Sequence, residues 1–334
     1  MEISNLSISF DQLVSECSKV LVVQADNPDA DSLGSAIALE QLLTHLKKDV
    51  YLYSAVPVPE YLRYVEGWDR VSNEFIADFD LTIFVDVSTK TLLKKIIELN
   101  YYERIKKNDI IVIDHHKTVS NNIESTKLSI ILDEESSTGQ IVYQLGKNNG
   151  YNLNDLFLKS VYISIMGDTQ GLSNQLATPK TFKIIAEIIE QGIDRFQIEE
   201  KRKSFSNYST EIYKYKANLI NRTELYADNR VAIIRLNQDD INNYSQSYNQ
   251  APLMHPEILQ IKGIALSIVL KFYNDGHVTG SIRSNISFPI AADLASLFDG
   301  GGHEYASGFN IRRDDSNEFI EELISKSTKL LDNL

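Results

Sequence analysis

The stretch "VVQADNPDADSLGSAIAL", Val22 to Leu39, decides the fold. An apolar run ends in a polar turn carrying Asp29 and Asp31, and a segment with apolar residues at helical spacing follows at once. A buried strand that feeds directly into a helix is the repeating unit of a layered α/β domain with a largely parallel sheet. The same alternation continues downstream. "KVLVVQA" (19–25), "DVYLYSA" (49–55), "LTIFVDV" (81–87), "DIIVID" (109–114) and "KLSIILD" (127–133) read as strands, and "TKTLLKKIIELNYYERIKK" (89–107) reads as an amphipathic helical stretch. Three helices are expected after them: "STGQIVYQLGKNNG" (137–150), "NLNDLFLKSVYISIMGDTQ" (152–170) and "TPKTFKIIAEIIEQG" (178–192), the last with Pro179 at its start and Gly192 just past its end.

At 334 residues the chain exceeds the usual single-domain size, so two domains are expected. The expected boundaries are residues 1–193 for the first domain, 194–228 for a charged helical linker without proline or glycine, and 229–334 for the second domain. In that last part "RVAIIRL" (230–236), "KGIALSIVLKFY" (262–273) and "HVTGSIRSN" (277–285) read as strands, with "NDG" (274–276) as a hairpin turn. A short helix "PIAADLASLF", a turn "DGGGH", a strand "ASGFNIRR" and a terminal helix from about Ser316 complete a smaller α/β domain with a mixed sheet.

Composition narrows the function classes. Hydrophobic residues make up 43% and charged residues 24%, as in ordinary globular proteins. No apolar run approaches the roughly 20 residues of a membrane span, so no membrane partner is expected. The start "MEISNLSISFDQL" lacks a basic segment and a long apolar one, so no signal peptide is expected. With Cys17 as its single cysteine the chain has no intrachain disulfide, which fits a reducing cytoplasm. A net charge of −13 argues against long duplex nucleic acid as a partner, because that binding depends on Lys and Arg neutralising phosphates.

The chemistry-bearing residues follow the strands. The first strand runs into Asp29 and Asp31, the third into Asp86, and the fourth into Asp114, His115 and His116. In an open α/β sheet, ligands bind at the carboxyl ends of the strands, so these groups should converge. Any one aspartate alone is read more simply as a helix cap or turn residue. Repetition after three separate strands is harder to explain that way. Asp168, in "MGDTQGL", falls at the end of an apolar helix, where its charge opposes the macrodipole and a cation would relieve the cost. Carboxylates with imidazole suit Mn²⁺ or Mg²⁺, the imidazole favouring Mn²⁺, and a carboxylate can bridge two such ions in phosphoester hydrolysis.

In this order "NPDADSLGS", "VDVST", "IDHH", "MGDTQG" and "GGGHEYASGF" resemble the motifs of the DHH phosphoesterase superfamily, and specifically its bacterial oligoribonuclease and pAp (3'-phosphoadenosine 5'-phosphate) phosphatase branch with the DHH-associated C-terminal domain. The resemblance implies a two-metal site: Asp29 and Asp31 hold one ion each, Asp86 bridges them, and His115 and Asp168 complete the second site. It also implies that His116 faces the scissile phosphate while Asp114 orients the histidines. The family's first motif usually carries a histidine three residues before its proline; here that position is Ala25, before Pro28. A methyl group ligates nothing, so a weakened first metal site is expected, with Asp26 or Asn27 as open substitutes.

The glycines of "DGGGHEYASG", Gly300, Gly301 and Gly302, read either as a flexible turn or as a backbone nest for phosphate, with His303 adding a donor. By resemblance this loop, with Arg283 and Ser284 of "GSIRSN", holds the substrate. His255 has no partner motif and reads as structural. The expected function is a metal-dependent phosphoester hydrolase acting on short RNA or small nucleotides such as pAp and linear dinucleotides. An inorganic pyrophosphatase or exopolyphosphatase, and a nucleotide-binding relative with weakened catalysis, are the alternatives. A homodimer stays open.

Overall fold

A computed structural model describes residues 3–116, 122–205, 207, 209–245, 249–313 and 316–334. The chain forms two compact units, Met1–Asn207 and Tyr208–Leu334. Residues 206 and 208 of the expected linker lie outside the described residues.

In the first unit helix α1 (Ile3–Ser15) precedes strand β1 (Lys19–Val23), helix α2 (Ala30–His45) and strands β2 (Asp49–Tyr53), β3 (Val71–Ser72) and β4 (Leu81–Val85). Two short helices α3 (Lys94–Glu98) and α4 (Tyr102–Ile105) lead to β5 (Asp109–Asp114) and β6 (Thr126–Ile131), and then α5 (Thr138–Asn148), α6 (Asp155–Asp168), α7 (Pro179–Glu190) and α8 (Arg195–Phe205) follow. The sheet runs in the order β3-β2-β1-β4-β5-β6. Every pairing in it is parallel.

The five strands read from the sequence appear, each ending within two residues of its expected end. Their near-continuous apolar runs are those of strands covered on both faces. Val20 and Val22 pack with Leu33, Ile37, Val142 and Val161 on one face. Leu21 and Val23 pack with Tyr53, Phe84, Ile96 and Ile105 on the other. The stretch 89–107 is not one helix: Asn100 adopts a left-handed φ of 60° between α3 and α4, ending the first and redirecting the second. Strand order reverses between β1 and β4, so the crevice at the topological switch point opens beside the segments carrying Asp29, Asp31 and Asp86.

The second unit carries α9 (Thr210–Asn221), β7 (Glu224–Tyr226), β8 (Val231–Leu236), α10 (Gln238–Tyr244), α11 (Gln250–Leu259), β9 (Leu266–Phe272) and β10 (His277–Ser284). It ends with α12 (Ala291–Ser296), β11 (Gly301–His303), β12 (Ala306–Arg312) and α13 (Ser316–Asp332). The sheet order is β11-β12-β10-β9-β8-β7. It is mixed, with β8 and β9 parallel and the other pairs antiparallel. The triglycine stretch departs from its expectation as a turn, because Gly301 to His303 pairs with Ala306 to Gly308 as an edge strand. Glycine makes this close approach feasible. A Cβ on Gly300 would meet the Gly308 carbonyl oxygen at 2.3 Å, and one on Gly302, whose φ is 141°, would meet the Ala306 carbonyl oxygen at 2.6 Å.

His255 ties α11 to this sheet. Its two ring nitrogens contact the hydroxyls of Ser267 on β9 and Ser281 on β10 at 2.8 and 3.0 Å. Burial, reinforced by the positive charge of Arg283, lowers its pKa from 6.5 to about 3. The unfolded imidazole takes up a proton below about pH 6.5 and the folded one only near 3, so stability from the neutral ring is full above this window and is lost as pH falls through it. Each pH unit costs about 1.4 kcal/mol. His255→Gln is expected to flatten the acid side of the urea-midpoint profile between pH 6 and 4 by about one proton's worth of slope, and equal slopes for the two proteins would refute this.

Candidate functional site

Asp31 lies in the first turn of α2 and is fully buried. Its Oδ1 accepts hydrogen bonds from the hydroxyls of Ser35 (2.7 Å) and Ser164 (2.6 Å) and from the Gly139 N–H (3.1 Å). Its Oδ2 accepts from the Thr138 N–H at 2.8 Å. Three helices are thereby aimed at one carboxylate. The N-terminus of α5 supplies two of the donors, which suits an anion. A side chain at Gly139 would stop this, since its Cβ would fall 2.1 Å from the Ser164 hydroxyl.

His115 follows β5 and is 6% exposed along its side chain. Its Nδ1 lies 3.3 Å from the Glu135 carbonyl oxygen, which can only accept, so Nδ1–H donates there. The Nε2 side therefore faces the acids, at 2.8 Å from Asp168, 3.4 Å from Asp31 and 3.9 Å from Asp86. A second group holding an imidazole in its ligating tautomer is the usual support of a metal site. Burial pulls the imidazole pKa down, but the hydrogen bond to Asp168 and the charge of Asp31 raise it to about 9.

Asp86 follows β4 with a left-handed φ of 59°, a conformation aspartate tolerates better than most residues. Its carboxylate accepts from the Thr138 hydroxyl at 3.2 Å and lies 3.4 Å from Nδ1 of His116. Burial and then the charges of Asp31, Asp29 and Asp168 push its pKa well up. Asp168, the last residue of α6, is raised to about 6 by burial and by Asp31, against the pull of His115. Asp114 goes the other way. Burial opposes its ionisation, but the hydrogen bond with His116 at 2.8 Å, the charge of that imidazole and a hydrogen bond from Ser88 together lower its pKa. The same oxygen accepts the N–H groups of His115 and His116, so Asp114 orients both residues. His116 is the accessible histidine, its side chain 35% exposed.

Asp29 is both helix cap and neighbour of the cluster. It accepts the Ser32 N–H at 3.0 Å as N-cap of α2; the residue is open to solvent, and the protein packed around its carboxyl, followed by the Asp31 charge, raises its pKa. Ala25 contributes only a methyl group, packed among Leu21, Val23, Tyr53 and Phe84. Asp26, left open as a substitute, accepts the Lys95 N–H at 2.8 Å with its Oδ2, while its Oδ1 is buried without a hydrogen-bond partner among the described residues. Ligand atoms of Asp31, His115 and Asp168 lie within 4.8 Å of one another, as do those of Asp86, His115 and His116. Buried like charges at this density raise each other's pKa, and a divalent cation removes that cost, so the donor set fits a hard or borderline metal ion.

Thr138, Gly139, Ser164 and the Glu135 carbonyl are the contributors the motifs did not reveal. "STGQ" signals a helix start, and nothing local shows that its N–H groups reach Asp31, more than a hundred residues earlier.

In the second unit Arg283 pairs across β10 and β12 with Ala306, and Ala306 pairs with His303 of β11. Directly opposed residues share a face, so Arg283 and His303 project from the same side of the sheet, flanking Ala306. Ser284, the next residue, belongs to the opposite face; it is buried and donates its hydroxyl to the Glu304 carbonyl at 3.1 Å. The structure thus joins Arg283 and His303 but not Ser284.

Residues 19–165 match the DHH family, N-terminal domain. Over 304 residues the chain is 25% identical to the bifunctional oligoribonuclease and PAP phosphatase NrnA of Bacillus subtilis, covering 89% of this chain and 90% of that one. Its fold matches the crystal structure of an exopolyphosphatase-related protein from Bacteroides fragilis, with a TM-score of 0.83, 24% identity and 98% of each chain covered. Exonuclease RecJ bound to manganese is more distant, with a TM-score of 0.54 and 14% identity over 98% of this chain and 94% of that one. The motif-bearing strand ends and the parallel sheet that gathers them fall within residues 19–165, so the first unit carries the stretch that matches the DHH family's N-terminal domain.

Proposed function

We infer that the protein hydrolyses phosphoester bonds in short oligoribonucleotides or small nucleotides such as pAp and linear dinucleotides, using divalent cations, with Mn²⁺ preferred. The observation that carries this reading is the convergence of Asp31, His115 and Asp168, with Asp86 beside them, in the switch-point crevice of a DHH-family domain. The B. subtilis NrnA relative, similar over nine-tenths of both chains, supports the substrate class.

Asp31, Asp86, His115 and Asp168 would hold one ion, and Asp29 with Asp86 a second, weaker one that lacks the ligand replaced by Ala25. Bound divalent cations supply the charge that acidifies water and offsets the phosphate's repulsion by this acidic pocket. Asp114 holds His116 so that its ring can donate a hydrogen bond to the phosphate under attack. The Glu135 carbonyl keeps the His115 ring turned toward the acids. Arg283, His303 and the backbone at Gly300 to Gly302 would hold a distal part of the substrate.

Three results test this reading. Mn²⁺ at about 100 times its dissociation constant is expected to stabilise the protein by about 2.7 kcal/mol. The rise in unfolding temperature should be larger at pH 7.5 than at pH 5.5, because His115 and Asp168, titrating near 9 and 6 in the metal-free protein, must shed protons to ligate. A midpoint indifferent to Mn²⁺ at both pH values removes the metal centre. Calorimetric titration of the metal-free protein should show one tight and one much weaker Mn²⁺ site, and two equally tight sites would contradict the reading of Ala25. Finally, incubation with pAp, a linear dinucleotide, a five-nucleotide RNA, cyclic di-AMP and pyrophosphate should release mononucleotides. Asp86→Asn should lower that rate by about 100-fold or more, since residues that merely support metal ligands already cost about 10- to 100-fold. Phosphate from pyrophosphate alone, or binding without turnover, would replace the assignment.

A further inference from the structure

A cavity of about 510 Å³ opens beside the acid cluster and shares Asp29 and Asp168 with it. This volume lies within the range of small-molecule sites, roughly 300–1,000 Å³. Its walls come from the first unit alone: the start of α2, the 3₁₀ turn Glu60–Leu62, the last turns of α6 and the α8 helix. Apart from Asp29, Asp168, Gln170, Glu199 and Arg202, the lining side chains are apolar or aromatic, with Tyr61, Tyr64, Tyr162, Met166 and Ile198 among them. Tyr64 and Tyr162 are buried, whereas Tyr61 is left 53% exposed at the cavity wall.

Charge decides what such a cavity accepts. Its lining carries Asp29, Asp168 and Glu199 against one cation, Arg202, which is already paired with Glu199 at 2.9 Å. A phosphate gains little from these walls, whereas a neutral, flat, polarisable group gains from the aromatic faces and from the guanidinium plane. The backbone adds a second observation. Gln170, Gly171 and Leu172 follow Asp168 with successive left-handed φ values of 50°, 72° and 65°, and the first two line the cavity. Non-glycine residues in this region persist where the surroundings impose them, and they cluster at ligand sites.

We propose that this cavity is the nucleobase subsite of the hydrolase, with Tyr61 as the platform on which a base next to the reacting phosphate stacks. The inference rests on the phosphoester-hydrolase reading and extends it. Continuity with the acid cluster puts the base within one nucleotide of the bond to be cut. Specificity for nucleotides over pyrophosphate would then come from the first unit's own wall, and a single base would suffice for recognition.

The experiment compares a dinucleotide with analogues in which either base is replaced by hydrogen. For each protein, kcat/KM for the intact compound is divided by that for each abasic one. In the wild type one ratio should exceed unity by about tenfold, the worth of a stacked base. In Tyr61→Ala that ratio should collapse toward one, through KM rather than kcat, while Tyr61→Phe should preserve it. Unaltered ratios in Tyr61→Ala, or an equal collapse in Tyr61→Phe, would overturn the stacking role. If the wild type cleaves no phosphoester, the hydrolase reading fails by itself. The subsite is then judged by calorimetry with adenosine 5'-monophosphate and Mn²⁺: Tyr61→Ala should weaken binding about tenfold, and undiminished affinity would reject it.

Discussion

The four hydrogen bonds received by Asp31 are the constraint on which the first unit's architecture depends. They draw the start of α5 and the body of α6 against the start of α2, so the carboxylate is a packing element as much as a chemical one. Small residues let the helices come this close. A Cβ on Gly34 would lie 2.6 Å from the Ser160 carbonyl oxygen, while Gly139 leaves room for Ser164. A carboxylate satisfied in this way keeps its position whether or not a cation is present. The site is therefore organised before any ion arrives, and binding need not be coupled to folding of the helices around it.

Around that fixed point the remaining acids are held at a cost. Asp86 and Asp168 are buried among like charges, and His115 carries the compensating proton. Proton and metal thus compete for the same ring nitrogen and the same oxygens. Asp114 stands apart from this competition: its hydrogen bonds run to His116 and to the backbone of the two histidines, and its pKa falls while its neighbours' rise. Two functions are separated within a few ångströms, one set of carboxylates facing a shared ion and one carboxylate holding an imidazole.

Much of this was legible in the chain. Apolar runs ending in Asp or His point to the parallel sheet and to the convergence of Asp31, Asp86 and His115, because β-strand periodicity and the switch-point rule leave little freedom there, whereas Asp168 closes a helix and is legible only through its charge at that C-terminus and through the family resemblance. The triglycine loop was harder, since three glycines signal permissive backbone without saying whether it is used for a turn or, as here, for an edge strand pressed against β12. Ser284 was misleading for a simple reason: adjacent strand residues face opposite ways, and Arg283 took the side shared with His303. The cavity wall was unreadable. Tyr61, Ile198 and Arg202 come from segments separated by more than a hundred residues, and no local pattern distinguishes a tyrosine lining a pocket from one in a core.

The left-handed backbone at Asp86 limits how this position can drift. Glutamate would keep the charge but suits that conformation poorly, and a β-branched side chain would be excluded; asparagine and glycine are tolerated by the chain but surrender the anion. The permitted alphabet is therefore nearly a single letter. Geometry, independently of chemistry, leaves a lineage that departs from aspartate here few routes other than the loss of its charge.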